Sequence, residues 1–238
     1  TANAGVALGI NAVAVAILAA VLSLPNKSIM LGCAYMAGGA VVGLIVALAV
    51  TPMKLPQTVA AFHSLVGIAA CAPSIAEFGQ SKHAIGLTRE NIFIVLGDFI
   101  GAVTFSGSIV AFLKLNGNLG SKPLQLPMKN VLNLIMLAGY CALATFFIMS
   151  KNVQHGIYYL WGVAGLGVVM GLHLVASVGG GDMPCCITVL NSYSGWALVM
   201  EGFMMNSPLL TVVGSLIGFS GAILTKIMCD AMNRDVFN

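Results

Sequence analysis

The polar run NSYSGW, residues 191–196, lies inside an apolar stretch that extends over residues 183–205. It brings Asn191, Ser192 and Ser194 together where the flanking side chains suit a membrane interior. An unpaired polar group in hydrocarbon is strongly unfavourable. The run therefore needs hydrogen-bond partners, water or a function.

A second polar residue in apolar surroundings is His63, within the run of residues 55–77. A histidine side chain ordinarily titrates close to neutral pH, so it can bind and release protons under working conditions. An ionisable residue within a membrane span indicates a functional site, because its charged form is so unfavourable there. His63 is therefore a candidate proton relay; the alternative is a buried histidine that only hydrogen-bonds a neighbouring helix.

Asn191 does not titrate, so its part would be to hold a water molecule or to orient the imidazole. Ser192 and Ser194 could assist, since each hydroxyl both donates and accepts hydrogen bonds. Hydrogen bonding between helices that adds only packing energy is an equal alternative. Thr104, Ser106 and Ser108 lie near the centre of another apolar run, where bonds to carbonyls of their own helix favour a packing role.

The composition identifies an integral membrane protein. Of the 238 residues, 59% are hydrophobic and 7% are charged, and the mean hydropathy is +1.00. Soluble domains carry about 25% charged residues. The net charge of +3 is spread along the chain, which argues against nucleic-acid binding. The six cysteines form no CxxC pair, so we interpret them as small buried residues rather than a disulfide or metal framework.

Eight apolar runs are long enough to cross a bilayer, which takes about 20 residues. The connections between them are too short for a soluble domain, so the sequence predicts an all-α, polytopic transmembrane helix bundle. This bundle forms a single domain over residues 1–238. The predicted spans are 4–24, 29–50, 55–77, 91–113, 129–149, 157–178, 184–205 and 208–230.

An even number of spans puts both termini on one side of the membrane, here named side A; the opposite side is side B. More basic residues fall on side A than on side B, which predicts that side A is the cytoplasmic or matrix face. The side A residues are Lys54, Lys114, Lys122, Lys129, Lys226 and Arg234, and the side B residues are Lys27, Lys82, Arg89 and Lys151.

His63 and Asn191 are predicted to share one depth in the membrane. A helix rises about 1.5 Å per residue, which puts His63 roughly 13 Å in from Lys54. The same rise puts Asn191 roughly 13 Å in from Asp182, which precedes its span on side A. Both side chains should therefore lie near the middle of a hydrocarbon core about 30 Å thick.

Other ionisable residues lie closer to the ends of the spans. Asp98, Glu77 and Glu201 fall toward side B, where they could form an acidic entrance for protons or be partly hydrated carboxylates at helix ends. His173 lies near side A and is interpreted as an interface residue. Several GxxxG pairs predict close helix packing. These pairs are Gly5/Gly9, Gly39/Gly43, Gly97/Gly101, Gly167/Gly171 and Gly214/Gly218.

Charged residues also gather at the side A surface. The loop GGGDMP, residues 179–184, carries Asp182, and the last span ends with Asp230, Arg234 and Asp235. These charges could anchor helix ends. They could equally form a docking surface for a soluble partner.

The sequence resembles the membrane domain of proton-translocating NAD(P) transhydrogenase, in the part that leads into its NADP(H)-binding domain. The resemblance covers most of the chain in the same order. The stretches that carry it are LPQTVAAFHSLVG (55–67), GAVTFSGSIVAFLKL (101–115), SKPLQLP (121–127), HLVASVGGGDMP (173–184), VLNSYSGWA (189–197) and SGAILTKIMCDAMNR (220–234).

The resemblance implies an enzyme that couples hydride transfer between NAD(H) and NADP(H) to proton movement. It implies that His63 and Asn191 lie on the proton path, and we expect Ser192, Ser194, Ser106 and Thr104 to support that path. It also implies that Asp182 and Arg234 communicate with the NADP(H) domain. Asp98 departs from the pattern, because the family leads us to expect an uncharged residue at that position.

The resemblance further implies that both nucleotides bind to other domains or subunits, with no cofactor and no metal bound by this chain. An NADP(H)-binding domain would follow residue 238, and no dinucleotide-binding motif is present. The expected partners are the NAD(H)- and NADP(H)-binding parts, the other transhydrogenase membrane helices and the lipid bilayer, without nucleic acid. The expected assembly is a homodimer in the mitochondrial inner membrane or a bacterial plasma membrane.

Two other classes of protein fit the polar residues. One is a secondary transporter or ion channel that binds a solute at a polar midplane site, although such proteins often show internal repeats and broken helices. No repeat is evident between the first four and last four predicted spans. The other is a passive structural subunit, which the shared depth of His63 and Asn191 disfavours.

Overall fold

The computed structural model describes residues 2–23, 25, 28–80, 86–124 and 128–234. Within these ranges the chain forms eight long α-helices and no strand, which confirms the predicted all-α class. The helices are α1 (Ala2–Ser23), α2 (Ile29–Ala49), α3 (Leu55–Gln80), α4 (Arg89–Leu115), α5 (Lys129–Met149), α6 (Val153–Ala176), α7 (Met183–Met204) and α8 (Pro208–Ala231). Lys27, Lys82 and Asp235 lie outside the described residues, as does part of the stretch 121–127.

Seven of the eight helices in the described ranges are long and apolar enough to cross a membrane. The exception is α7, which is long enough but carries the NSYSGW run and Glu201. The eight predicted spans therefore correspond to eight helices. Seven of them qualify as membrane spans by length and composition.

Short polar signals fix where several helices begin. Thr88 caps α4, because its hydroxyl accepts from the backbone N–H of Asn91 at 3.2 Å. Asn152 caps α6 in the same way, accepting from Gln154 N at 2.9 Å. Proline stands in the first turn of α7 and α8, where its missing N–H has no helical partner to lose.

The chain divides into two compact units, Thr1–Pro52 and Met53–Asn238. The first unit contains α1 and α2, in which no described residue is buried. Its GxxxG glycines meet no atom of another element within 4 Å, so the close packing predicted for those two pairs is not observed.

The second unit is organised around α4, which has the most extensively buried surface of the described helices. Helix α4 packs against α3, α6 and α7, and α8 packs against the outer side of α7. Because α4 contacts three neighbours, even polar side chains in its middle, such as Asp98, Thr104 and Ser108, are enclosed by protein. This arrangement determines the surroundings of every candidate site residue on α3, α4 and α7.

Glycines allow the helix backbones of the second unit to touch. A Cβ added at Gly101 of α4 would lie 2.8 Å from the backbone N of Cys71 on α3. A Cβ added at Gly221 of α8 would lie 2.7 Å from the backbone N of Ser192 on α7. The predicted role of GxxxG glycines in close packing is confirmed for the pairs on α4, α6 and α8.

Candidate functional site

His63 and Asn191 are in direct contact between α3 and α7. His63 Nε2 lies 3.1 Å from Asn191 Oδ1, and both residues are half-buried. The structure thus brings together the two side chains for which the sequence predicted a common depth. No described ion pair involves either of them.

An apolar cluster holds α3, α4 and α7 in register beside this contact. Ala60, one turn before His63, is fully buried with Leu190, which precedes Asn191. The cluster also contains Ala111 of α4 and Val175 of α6. Because close-packed side chains move little, this cluster fixes the separation of the imidazole and the amide.

The second nitrogen of the imidazole is also engaged. His63 Nδ1 lies 2.8 Å from the backbone carbonyl oxygen of Val59, one turn earlier in α3. A carbonyl oxygen only accepts, so Nδ1 carries the hydrogen of this bond.

The two serines beside Asn191 serve helix packing and the local backbone. Ser192 is buried and donates to the carbonyl of Gly218 on α8, at 2.8 Å. Ser194 donates to the backbone carbonyl of Asn191 itself, at 2.7 Å. Neither hydroxyl is hydrogen-bonded to His63, so any effect they have on the imidazole acts through α7.

The hydroxyls of α4 divide into two kinds. Thr104 and Ser106 donate to carbonyls of their own helix, with Thr104 bonded to Ile100 O at 2.8 Å. Ser108 is fully buried, and its hydroxyl has no partner among the described residues. From the sequence, a packing role was favoured for all three hydroxyls, and the resemblance led us to expect only Thr104 and Ser106 to support the proton path. Only their orientation around the helix separates Ser108 from the others.

The helix register places Ser108 near the level of His63. Helices α3 and α4 run in opposite directions, and Gly101 of α4 lies against Gly67 of α3. A Cβ added at Gly67 would also meet the backbone N of Phe105 on α4. Ser108 follows Phe105 by about one turn, and His63 precedes Gly67 by about one turn. The Ser108 hydroxyl therefore lies on the side A side of the point where α3 and α4 make their closest contact, as His63 does.

Asp98 and Glu201 are both buried, which corrects their interpretation as partly hydrated carboxylates. Asp98 has 0% exposure and accepts from the thiol of Cys71 at 2.8 Å, while its second oxygen has no described partner. Glu201 is 6% exposed, and its Oε1 likewise has no described partner. Asp98 lies on α4, and the helices packed against α4 enclose its carboxylate, which the sequence did not reveal.

His173 is buried as well, which its position near the end of a predicted span did not indicate. Its Nδ1 lies 2.8 Å from Asn133 Oδ1 on α5. Its Nε2 is enclosed without a described partner. The packing of α5 against α6 covers this position, although it lies in the last turn of α6.

At side A, the structure brings Asp182 and Arg234 together. Arg234 Nε lies 3.3 Å from Asp182 Oδ1, with the two side chains 65% and 33% exposed. A second ion pair, Lys226 to Asp230 at 3.1 Å, lies on α8. The first pair joins the start of α7 to the end of α8, and the second lies within one helix.

Lys114 is a structural residue that sequence reasoning missed. Its ammonium donates to the backbone carbonyls of Ala176 and Val178, each at 2.6 Å, and the residue is only 7% exposed. These carbonyls end α6 and begin the connection to Asp182. The comparison of basic residues on the two sides of the membrane counted Lys114 as a surface charge. In the structure, Lys114 instead links α4 to that connection.

Two cysteines near side A form a close pair. Cys185 Sγ and Cys229 Sγ lie 3.3 Å apart between α7 and α8, and both residues are buried. All six cysteines are free thiols. The expectation of small buried residues holds for this pair, whereas Cys141 is exposed. The described residues contain no group of three or more His, Cys, Asp or Glu side chains arranged to hold a metal ion.

Comparison with known proteins gives a consistent family. A profile described as NAD(P) transhydrogenase beta subunit matches residues 1–238. NAD(P) transhydrogenase subunit beta from Rhodospirillum rubrum is 38% identical over 244 aligned residues, which cover 100% of this chain and 52% of the relative. A second relative, of the same name and from a named strain of that species, gives the same figures. The chain spans about half the length of the curated relatives it matches.

Proposed function

We infer the function of this chain from the family to which it belongs, that of the NAD(P) transhydrogenase beta subunits. We propose that it forms the proton-translocating membrane part of such an enzyme. The apolar helices fit a multi-pass integral membrane protein. Hydride transfer between NAD(H) and NADP(H) takes place in other domains or subunits, and proton movement through this chain is coupled to it.

One observation carries the assignment of the proton site: His63 Nε2 lies 3.1 Å from Asn191 Oδ1 inside the second unit. An imidazole binds and releases protons near neutral pH, and an amide can bond it in either charge state. His63 is therefore the proton-binding residue, and Asn191 positions its ring.

A third polar group completes the proposed path. Ser108 has a buried hydroxyl without a described partner, at the level of His63. Buried polar groups are normally satisfied, so this hydroxyl is suited to bond a water molecule on the way to the imidazole. Thr104 and Ser106 contribute to the structure of α4 rather than to the path, because their hydroxyls already bond carbonyls of their own helix. Ser192 and Ser194 hold α7 in place around Asn191.

Coupling to the redox reaction runs through the side A ion pair. Asp182 and Arg234 lie at the exposed ends of α7 and α8, where a nucleotide-binding domain could sense them. If the charge of His63 alters the affinity of that domain for NADP+ relative to NADPH, the redox state must alter proton binding at His63 by the same factor. Coupling of this kind is typically worth about 1–3 kcal/mol.

The partners follow from the same reading. The NAD(H)- and NADP(H)-binding parts carry both nucleotides, and further transhydrogenase helices complete the membrane assembly, which we propose to be a homodimer. Membership of the family favours this function over a secondary transporter or ion channel.

The test is proton-coupled turnover of the complete enzyme in liposomes, with wild-type and His63→Ala proteins side by side. Nucleotide reduction and internal pH are followed together. We expect wild type to move protons only during turnover and His63→Ala to lose that coupling. His173→Ala is the matched control, because the imidazole of His173 also bonds an asparagine amide.

The outcomes separate the alternatives. Normal pumping by His63→Ala would move the proton path elsewhere, with Asp98 as the next residue to replace. If wild type shows no nucleotide-linked proton movement, the proposed function is wrong, and uptake of labelled solutes becomes the relevant assay.

A further inference from the structure

The imidazole of His63 is restricted at one of its two nitrogens. Nδ1 faces the backbone carbonyl of Val59 at 2.8 Å, inside the same helix. This carbonyl can only accept a hydrogen bond, and the backbone of α3 holds it in place. Nδ1 must therefore carry a hydrogen whether the ring is charged or neutral.

The state of the other nitrogen then follows from the charge. In the imidazolium, Nε2 also carries a hydrogen and donates; in the neutral ring, Nε2 has only a lone pair and accepts. Asn191 presents its oxygen to Nε2 at 3.1 Å. An amide oxygen can accept the hydrogen that Nε2 carries in the imidazolium. In the neutral ring, Nε2 and the amide oxygen would both be acceptors, and no hydrogen bond could form between them.

We propose that the side-chain amide of Asn191 rotates by half a turn each time His63 gains or loses its proton. Oδ1 faces the imidazolium, and Nδ2 faces the neutral ring. Asn191 is thus a positioning residue with two states, each matched to one charge on His63. The use of this rotation in proton transport rests on the proposed function; the rotation itself rests only on the hydrogen bonds of the ring.

The second histidine–asparagine pair, His173 with Asn133, shows why the Val59 carbonyl is needed for the rotation. His173 Nδ1 lies 2.8 Å from Asn133 Oδ1, but its other nitrogen has no described partner. By moving its hydrogen between the two nitrogens, the neutral ring of His173 can bond either the oxygen or the nitrogen of the asparagine amide. His63 has no such freedom, because Val59 fixes the hydrogen on Nδ1.

No described charge competes for His63. Helices α4, α6 and α7 pack against α3, and no described hydrogen bond or ion pair joins one of their acidic or basic side chains to the ring. Lys114 bonds two carbonyls, His173 bonds Asn133 and Asp182 bonds Arg234. Asp98 bonds Cys71, and Glu201 makes no described bond to the imidazole. Among the described residues, the hydrogen bonds of the ring are those to Val59 and Asn191.

Rotation of the Asn191 amide also changes the hydrogen-bonding group that α7 presents on the side away from His63. When Nδ2 turns toward the ring, Oδ1 takes its former place on the far edge of the amide, so a donor is exchanged for an acceptor there. The charge on His63 is thereby converted into a change of hydrogen-bond polarity on α7. This is the helix that begins directly after Asp182.

The test is nitrogen-15 solid-state NMR on the complete enzyme in lipid, with histidine ring nitrogens and asparagine amides labelled. The difference between wild type and His63→Gln isolates the His63 signals, and His63→Asn gives a second subtraction if the first variant folds poorly. We expect the neutral ring to carry its hydrogen on Nδ1 and a lone pair on Nε2. A contact between Asn191 Nδ2 and His63 Nε2 should appear only in the neutral state.

A neutral ring with its hydrogen on Nε2 would overturn the proposal, as would an asparagine contact unchanged between the two charge states. The His173→Gln difference spectrum is the internal control, since that pair requires no rotation. Failure of the proposed function is distinguishable: the tautomer and the amide contact would be as expected, while His63→Ala still pumped protons with full coupling.

Discussion

Arg234 Nε lies 3.3 Å from Asp182 Oδ1, and this contact joins the exposed end of α8 to the start of α7. Exposed ion pairs contribute about 0–1 kcal/mol to stability. The Asp182–Arg234 pair therefore adds little to the stability of the α7–α8 packing, and its position on the surface suits recognition of another domain.

Neutralising this pair should reduce coupling far more than stability. For Asp182→Asn or Arg234→Gln we expect the proton-coupled rate to fall at least about fivefold, the lower end of typical allosteric coupling. The melting temperature should change by no more than about 2–4 °C. Lys226→Gln is the matched control, because it breaks an exposed pair within α8. Equal losses of coupling in all three variants would contradict a specific role for Asp182 and Arg234.

Removal of the Ser108 hydroxyl separates a path residue from a packing residue. The hydroxyl is buried without a described partner, so Ser108→Ala should leave stability unchanged or raise it by about 1 kcal/mol. If Ser108 bonds a water on the path, the same variant should slow proton-coupled turnover. Ser106→Ala, whose hydroxyl bonds its own helix, should not slow it. A marked loss of stability in Ser108→Ala without slower turnover would assign this hydroxyl to packing.

The helices could be predicted from the sequence to within a few residues at each end, because each one follows a long, mainly apolar run between polar connections. The common depth of His63 and Asn191 could be predicted for a related reason, since the rise of a helix fixes how far each residue lies from the end. These two estimates need only distances along the helix axis. The observed contact at 3.1 Å agrees with them.

The orientation of side chains around each helix could not be predicted. Helices that are apolar all round give no polar face from which to infer which side meets a neighbour. The burial of Asp98, Glu201 and His173 by neighbouring helices was therefore not predicted. The same limitation concealed the difference between Ser106 and Ser108.

The crossing of α3 and α4 provides a test of packing close to His63. A Cβ at Gly101 would lie 2.8 Å from both Cys71 N and Gly67 O, and neither backbone atom can move alone. We expect Gly101→Ala to destabilise the protein by about 1–3 kcal/mol, as overpacking typically does, and to reduce coupling by displacing α3. Thermal unfolding and the liposome assay measure the two effects.

Gly165→Ala on α6 is the matched control for Gly101→Ala. No atom lies within 4 Å of a Cβ added there. Alanine favours a helix by about 1 kcal/mol relative to glycine, so this variant should be as stable as wild type or more stable. If both variants were equally destabilised, the close approach of α3 and α4 would not be the cause.

The thiols of Cys185 and Cys229 should form a disulfide when the enzyme is treated with diamide. Their sulfur atoms lie 3.3 Å apart, and a disulfide needs about 2.05 Å, so a small shift of α7 against α8 suffices. Two thiols lose two electrons and two protons, and diamide takes them up to become a hydrazine. Mass spectrometry of unreduced peptides, in a Cys186→Ala background, identifies the bond. Pairing of either thiol with Cys141 instead would contradict the observed packing.

Replacement of Lys114 tests whether a buried cation supports the connection to Asp182. Its ammonium is 7% exposed and bonds the carbonyls of Ala176 and Val178 at 2.6 Å. A hydrogen bond to a charged group is worth about 1.5–3 kcal/mol, and Lys114→Met leaves both carbonyls without that donor. We expect this variant to lose about 2–5 kcal/mol of stability and to lose coupling as the connection shifts.

Lys226→Met distinguishes this effect from the loss of any lysine. Lys226 has a 72% exposed side chain and pairs with Asp230 one turn away, so its removal should cost less than about 1 kcal/mol. Lys114→Arg keeps the charge but replaces a compact ammonium by a planar fork, and should restore stability only in part. Chemical unfolding in detergent measures all three variants. If Lys114→Met unfolded like Lys226→Met, the buried ammonium would add no net stability, and its two hydrogen bonds would only offset the cost of removing the charge from water.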